Sequence, residues 1–89
     1  MIVIPSSSFC DDFERIRNKN IIQRALHAFE KLEAANSLRE LPNIKSMKGY
    51  PGFYRLRFGD FRIGFRLVDE NTIRLLAIEH RSVFYRDFP

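Results

Sequence analysis

The chain holds a single cysteine, Cys10, so no internal disulfide can form and no thiol-based metal site can be assembled. It has no apolar run near the roughly 20 residues needed to span a bilayer. The apolar opening Met1 to Ile4 is far too short for a signal peptide, so the expected location is cytoplasmic. Internal repeats and low-complexity tracts are lacking too, which removes solenoids and disordered linkers from consideration. At 89 residues there is room for one domain, 1–89, with one core, and a two-domain reading is excluded. What the chain does have is apolar and aromatic content, 45% and 13%, enough to fold.

Its charge is unevenly placed. Residues 1–44 carry six basic side chains (Arg15, Arg17, Lys19, Arg24, Lys31, Arg39) against six acidic ones, and sum to zero. Residues 45–89 carry nine (Lys45, Lys48, Arg55, Arg57, Arg62, Arg66, Arg74, Arg81, Arg86) against five, so the whole excess of +4 sits there. Seven of those nine are arginine, whose planar forked donors suit phosphate oxygens and stack on bases. A basic surface kept for solubility is the plainer alternative.

The stretch Phe53 to Leu67, FYRLRFGDFRIGFRL, explains where those arginines go. Both halves alternate at the period of a pleated strand, with Gly59-Asp60 as the turn between them. Arg55 and Arg57 share a side with Phe53, against Tyr54, Leu56 and Phe58; Arg62 and Arg66 oppose Phe61, Ile63, Phe65 and Leu67. Paired as a hairpin, the strands give one face able to bury and one face carrying four guanidinium groups.

Upstream, Ile2, Val3 and Ile4 before Pro5 predict a short first strand. Ser6 to Ser8 offer an N-cap to a helix of about three turns with Phe9, Phe13 and Ile16 at helical spacing. After a polar break at Asn18 to Asn20, the stripe Ile22, Ala25, Leu26, Phe29 and Leu32 predicts a second helix to about Ala35, with Asn36 placed to cap it. His27, Arg24 and Lys31 fall on its solvated side. Leu38 to Ile44 reads as a connection, Lys48 to Gly52 as a turn, and Thr72 to Glu79 as a last strand after the turn at Asp69 to Asn71. A short turn or bend is expected of His80 to Pro89. The expected class is α+β, order β-α-α-β-β-β, a helical hairpin packed on one face of a small, mainly antiparallel sheet.

The segments KGYPGFYRLRFGDFRIGFRL (Lys48 to Leu67) and EHRSVFYR (Glu79 to Arg86) resemble the RelE/ParE superfamily of bacterial toxins, the toxin halves of type II toxin-antitoxin pairs. The likeness runs over nearly the whole chain, specific in the C-terminal half and a matter of pattern in the N-terminal half. It implies an endoribonuclease, an mRNA interferase acting on mRNA at the ribosome, in which a ribose 2′-hydroxyl attacks its own 3′ phosphate. It also implies a RelB-like antitoxin that holds the enzyme inactive. Carried over by motif, the catalytic candidates are Arg55, Arg57, Arg62, His80, Arg81 and Tyr85. Lys45, Lys48, Arg66, Arg74 and Arg86 are candidate RNA contacts.

Such a reaction needs a base, cations around the phosphorane and a proton donor for the leaving oxygen. Arg57, Arg62 and Arg81 suit the phosphate. Some relatives carry lysine where this chain has Arg55 and Arg57, and guanidinium is a poor proton acceptor. His80 is then the one candidate base nearby, unless the enzyme works by orienting RNA and stabilising charge. Tyr85 is placed to stack on a base or donate the last proton. The basic face has no carboxylate cluster to hold Mg²⁺, so no cofactor is expected and the reaction is read as metal-independent. Two competitors remain: a gyrase-binding toxin on the same scaffold, acting by protein contact, and a non-catalytic nucleic-acid-binding module.

Overall fold

The structure, a computed structural model, describes residues 1–89. The elements run β1 (Ile2–Pro5), α1 (Ser7–Glu14), α2 (Lys19–Ala34), a 3-10 turn (Leu38–Glu40), β2 (Ile44–Ser46), β3 (Phe53–Phe58), β4 (Phe61–Asp69), β5 (Thr72–His80) and α3 (Arg81–Asp87). The five strands form one sheet in the order β1-β5-β4-β3-β2, parallel only between β1 and β5.

The first strand ends at Pro5, which has no amide hydrogen to extend a ladder. Ser6 then caps α1, its side chain accepting from the Phe9 amide at 3.1 Å. The helix has eight residues, shorter than the three turns expected, and Ile16 follows it. Asn18 opens α2 by accepting from the amides of Asn20 and Ile21. The end of α2 differs from expectation: Ala35, not Asn36, is the cap and is extended, while the Met1 ammonium donates to the Glu33 and Ala35 carbonyls at 2.8 Å. Orphan carbonyls at a helix C-terminus are thereby satisfied by a cation instead of a left-handed turn.

Both helices cover one sheet face. Phe9, Ala25, Ala28 and Leu32 pack on Leu56, Phe58, Ile63, Phe65, Ile73, Leu75 and Ile78. An aromatic trio of Phe9, Phe13 and Phe29, with ring centroids 5.6 to 6.1 Å apart, joins α1 to α2. Beyond the end of β1, α1 takes over the edge of β5: Ser8 Oγ donates to the Leu76 carbonyl and Asp12 accepts from the Ile78 amide. No helix is long and apolar enough to cross a membrane.

Two further expectations are corrected. The connection before the hairpin contains the 3-10 turn and a short edge strand, whose Lys45 lies opposite Arg55. The tail is a helix and not a bend, and it changes the character of the arginine face. Phe84 of α3 and Phe88, the extended residue that follows the helix, form a second small core there with Ala77, joined by Met47, Phe53 and Leu76. Room for it exists because position 64 is glycine: a Cβ there would lie 2.7 Å from the Phe88 ring. The arginine face is thus part surface and part core.

Candidate active site

Register brings the arginines together. Arg57 on β3 lies directly opposite Arg62 on β4, one rung from the Gly59-Asp60 turn. Like charges facing across a ladder are unfavourable, so other groups must hold them. The Arg62 side chain, 9% exposed, is held by neutral oxygens: its guanidinium donates to the carbonyls of Gly59 and Phe61 at 3.0 Å and to the Tyr85 hydroxyl at 3.3 Å. No carboxylate makes an ion pair with it. Gly59 itself sits at φ 57°, a left-handed value that glycine adopts without strain.

The start of α3 is fastened to the same turn. The Arg81 amide donates to the Asp60 carbonyl at 2.7 Å, and its guanidinium lies 3.7 Å from the Asp60 carboxylate. Tyr85 stands one helical turn on, half exposed, its ring edge-on to Phe84. Arg57, Arg62 and Arg81 therefore line one cleft of about 710 Å³, with Asp60 as its one acidic lining residue. The cleft's other wall comes from Gln23, Arg24, His27 and Lys31 of α2, which helical periodicity alone puts on a solvated face.

The remaining candidates fall elsewhere. Arg55, two residues from Arg57, is half-buried and donates to the Asn43 carbonyl at 3.3 Å, outside the cleft lining. His80 lies opposite Phe61 and so on the other parity from Arg62. It caps α3, with Nδ1 accepting from the Ser82 amide at 3.1 Å, and it lines a neighbouring cavity with Asp12, Phe61 and Glu79. The structure does not bring His80 into the arginine cleft. Arg66 and Arg74 face each other at the far end of the sheet, about 13 Å from Arg62 along β4 at some 3.3 Å per residue. There Arg66 rests over the Phe53 ring at 5.5 Å. Lys45 and Lys48 are exposed on the β2 side, and Arg86 pairs with Asp87 at 3.6 Å.

Glu79 would pass, on sequence, for a simple ion-pair partner of a nearby arginine. It lies opposite Arg62 in register, yet one of its carboxylate oxygens is buried without a hydrogen-bond partner. Burial, followed by the nearby Asp87 and Asp12 carboxylates, raises its pKa to about 7. Only the fold reveals this, because the two acids arrive from α3 and α1.

A sequence model of the family described as the ParE toxin of type II toxin-antitoxin system, parDE, matches residues 3–84. Toxin RelE3 of Methanocaldococcus jannaschii is 34% identical over 90 residues, covering 100% of both chains. Among solved structures, the RelB-RelE antitoxin-toxin complex from Methanococcus jannaschii superposes with a TM-score of 0.79 at 31% identity, over 97% of this chain and 99% of that one. The isolated E. coli RelE toxin gives 0.67 at 10% identity, over 89% and 82%, a likeness of fold alone. With the hairpin, the helical cover and the C-terminal helix all in place, the chain belongs to the RelE/ParE toxins of type II toxin-antitoxin systems.

Proposed function

We propose that this toxin is a metal-independent endoribonuclease that cuts mRNA on the ribosome and is silenced by a RelB-like antitoxin. The observation that carries the reading is Arg62: a buried guanidinium with no acidic partner, flanked by Arg57 and Arg81 at the mouth of one cleft. A buried cation kept without a counter-ion is costly to the fold, and the cost is accounted for when a phosphate is the intended guest.

In the proposed step the 2′-oxygen bonds to phosphorus as the bond to the 5′-oxygen breaks, leaving a cyclic phosphate and a 5′-hydroxyl end. Arg57, Arg62 and Arg81 spread the phosphorane charge over forked donors. The Tyr85 hydroxyl accepts from Arg62 and keeps its own proton to donate to the leaving oxygen, while its exposed ring offers a stacking surface. His80 is fixed as a helix cap in the next cavity, so the proposal places the weight on orientation and charge, with the 2′ proton leaving to solvent. The solved RelB-RelE complex from Methanococcus jannaschii supports an antitoxin partner of that type.

The test is end-mapping of mRNA from cells in which the protein is induced, with 5′-hydroxyl ends expected at the cuts. Arg62→Ala, checked by circular dichroism for retained fold, is expected to slow cleavage by about 10² to 10³, the usual loss for one such donor. On protein-free RNA at high enzyme concentration, EDTA is expected to leave cutting unchanged. Intact translating mRNA with failed supercoiling would instead favour gyrase contact, the competitor that the family's ParE members keep in play.

A further inference from the structure

We infer that the α2 face of the cleft is a second RNA-backbone track, in which Arg24, His27 and Lys31 receive the phosphates that flank the scissile one. This rests on the ribonuclease reading above and names the part of the substrate that its cleft holds next.

The three residues share one side of α2 at spacings of three and four, and all line the cleft that Arg57, Arg62 and Arg81 line from the sheet. Neither Arg24 nor Lys31 is in an ion pair. The acids of the same helix, Glu30 and Glu33, are not on the cleft, and Asp60 is engaged by Arg81. Arg24 is also held in position. Its guanidinium lies 5.9 Å from the Phe58 ring centroid and packs so closely on Gly59 that a Cβ there would meet it at 2.6 Å. The Gly59 carbonyl accepts from Arg62, so one turn residue is touched by guanidinium groups from both walls.

Charge and length decide the occupant. From Arg24 to Lys31 the helix rises about 10 Å, against about 3.4 Å per phosphate in a stacked strand, enough for more than one phosphate beyond the reacting one. An open cleft with cations on both walls and its single acid already paired fits an extended polyanion that continues out of the site.

The experiment measures binding of a single-stranded RNA oligonucleotide, 2′-O-methylated so that it cannot be cut, to wild type, Arg24→Ala/Lys31→Ala and Lys19→Ala. Lys19 is a cation on the same helix that lies outside the cleft lining. The double variant is expected to bind about tenfold more weakly, with a salt slope shallower by about 1.4, near 0.7 for each phosphate of a single strand that is no longer neutralised. Lys19→Ala is expected to match wild type. Alanine is a good helix former, so α2 keeps its fold. Equal binding by the double variant and Lys19→Ala overturns the track while leaving the nuclease reading intact. Loss of affinity for polyglutamate but not for RNA overturns it in favour of a protein partner. If wild type neither binds RNA nor cuts mRNA, the underlying reading fails.

Discussion

Glu79 is held in a setting that favours its neutral form. Burial and the carboxylates of Asp87 and Asp12 raise its pKa to about 7 from an ordinary 4.5, with the Arg86 guanidinium pulling the other way. In the unfolded chain the carboxyl releases its proton near the ordinary value, while in the folded chain it keeps the proton to about neutrality. Between those two pH values the folded state binds more protons than the unfolded one, so stability declines as pH rises from about 4.5 to about 7 and is level beyond. Glu79→Gln removes the ionisation and adds an amide donor toward Asp87. The variant is expected to melt higher than wild type at about pH 8 and close to it at about pH 4.5, by thermal denaturation at both. Parallel melting curves across that range would show that Glu79 ionises without affecting the fold.

At the scale of elements, α3 links stability to the site. Phe84 is fully buried and Phe88 nearly so, and the same seven-residue helix carries Arg81 and Tyr85. A helix this short is not stable by itself; it exists because two rings find Gly64 and Ala77 beneath them. That is why the tail cannot be assigned from sequence. Its Phe84 and Phe88 are four apart, a helical interval, but the gap at Gly64 that receives Phe88 is on a strand twenty-four residues earlier. The hairpin and the first two helices are legible because their signals, alternation and an apolar stripe, are local, although α1 ends at eight residues, short of the three turns expected. The face covered by α3 is not, since parity says which residues share a side and nothing about what comes to rest on it. Phe84→Ala should cost up to about 3 to 5 kcal/mol, the usual range for truncating a buried phenylalanine. It is expected to abolish RNA cleavage and expose Arg81 to Pro89 to proteolysis. If α3 unlocks locally, protease sensitivity and loss of cleavage will appear at temperatures well below global melting.

Across the whole molecule, the charge counted along the sequence and the charge met by a ligand are different quantities. The first 44 residues sum to zero, so Arg24 and Lys31 do not stand out in the sequence; folding turns them toward the cleft and leaves Glu30 and Glu33 off it. Arg66 and Arg74, which share parity with Arg62, lie at the other end of the sheet with α3 packed between, so sequence parity overstates how many guanidinium groups serve one phosphate. The cleft is left with five fixed cations, Arg24, Lys31, Arg57, Arg62 and Arg81. If each meets one phosphate of a single strand, the affinity for uncuttable RNA should fall with log salt at a slope of about −3.5, from roughly 0.7 per phosphate. Doubling the salt should then weaken binding about tenfold. A slope near about −5 would mean that the two far-end arginines also touch the strand, and Arg66→Ala/Arg74→Ala would then lower it. A slope near about −2 would mean that the sheet wall alone holds RNA, with α2 idle. Titrations across a range of salt concentrations are enough to tell these apart.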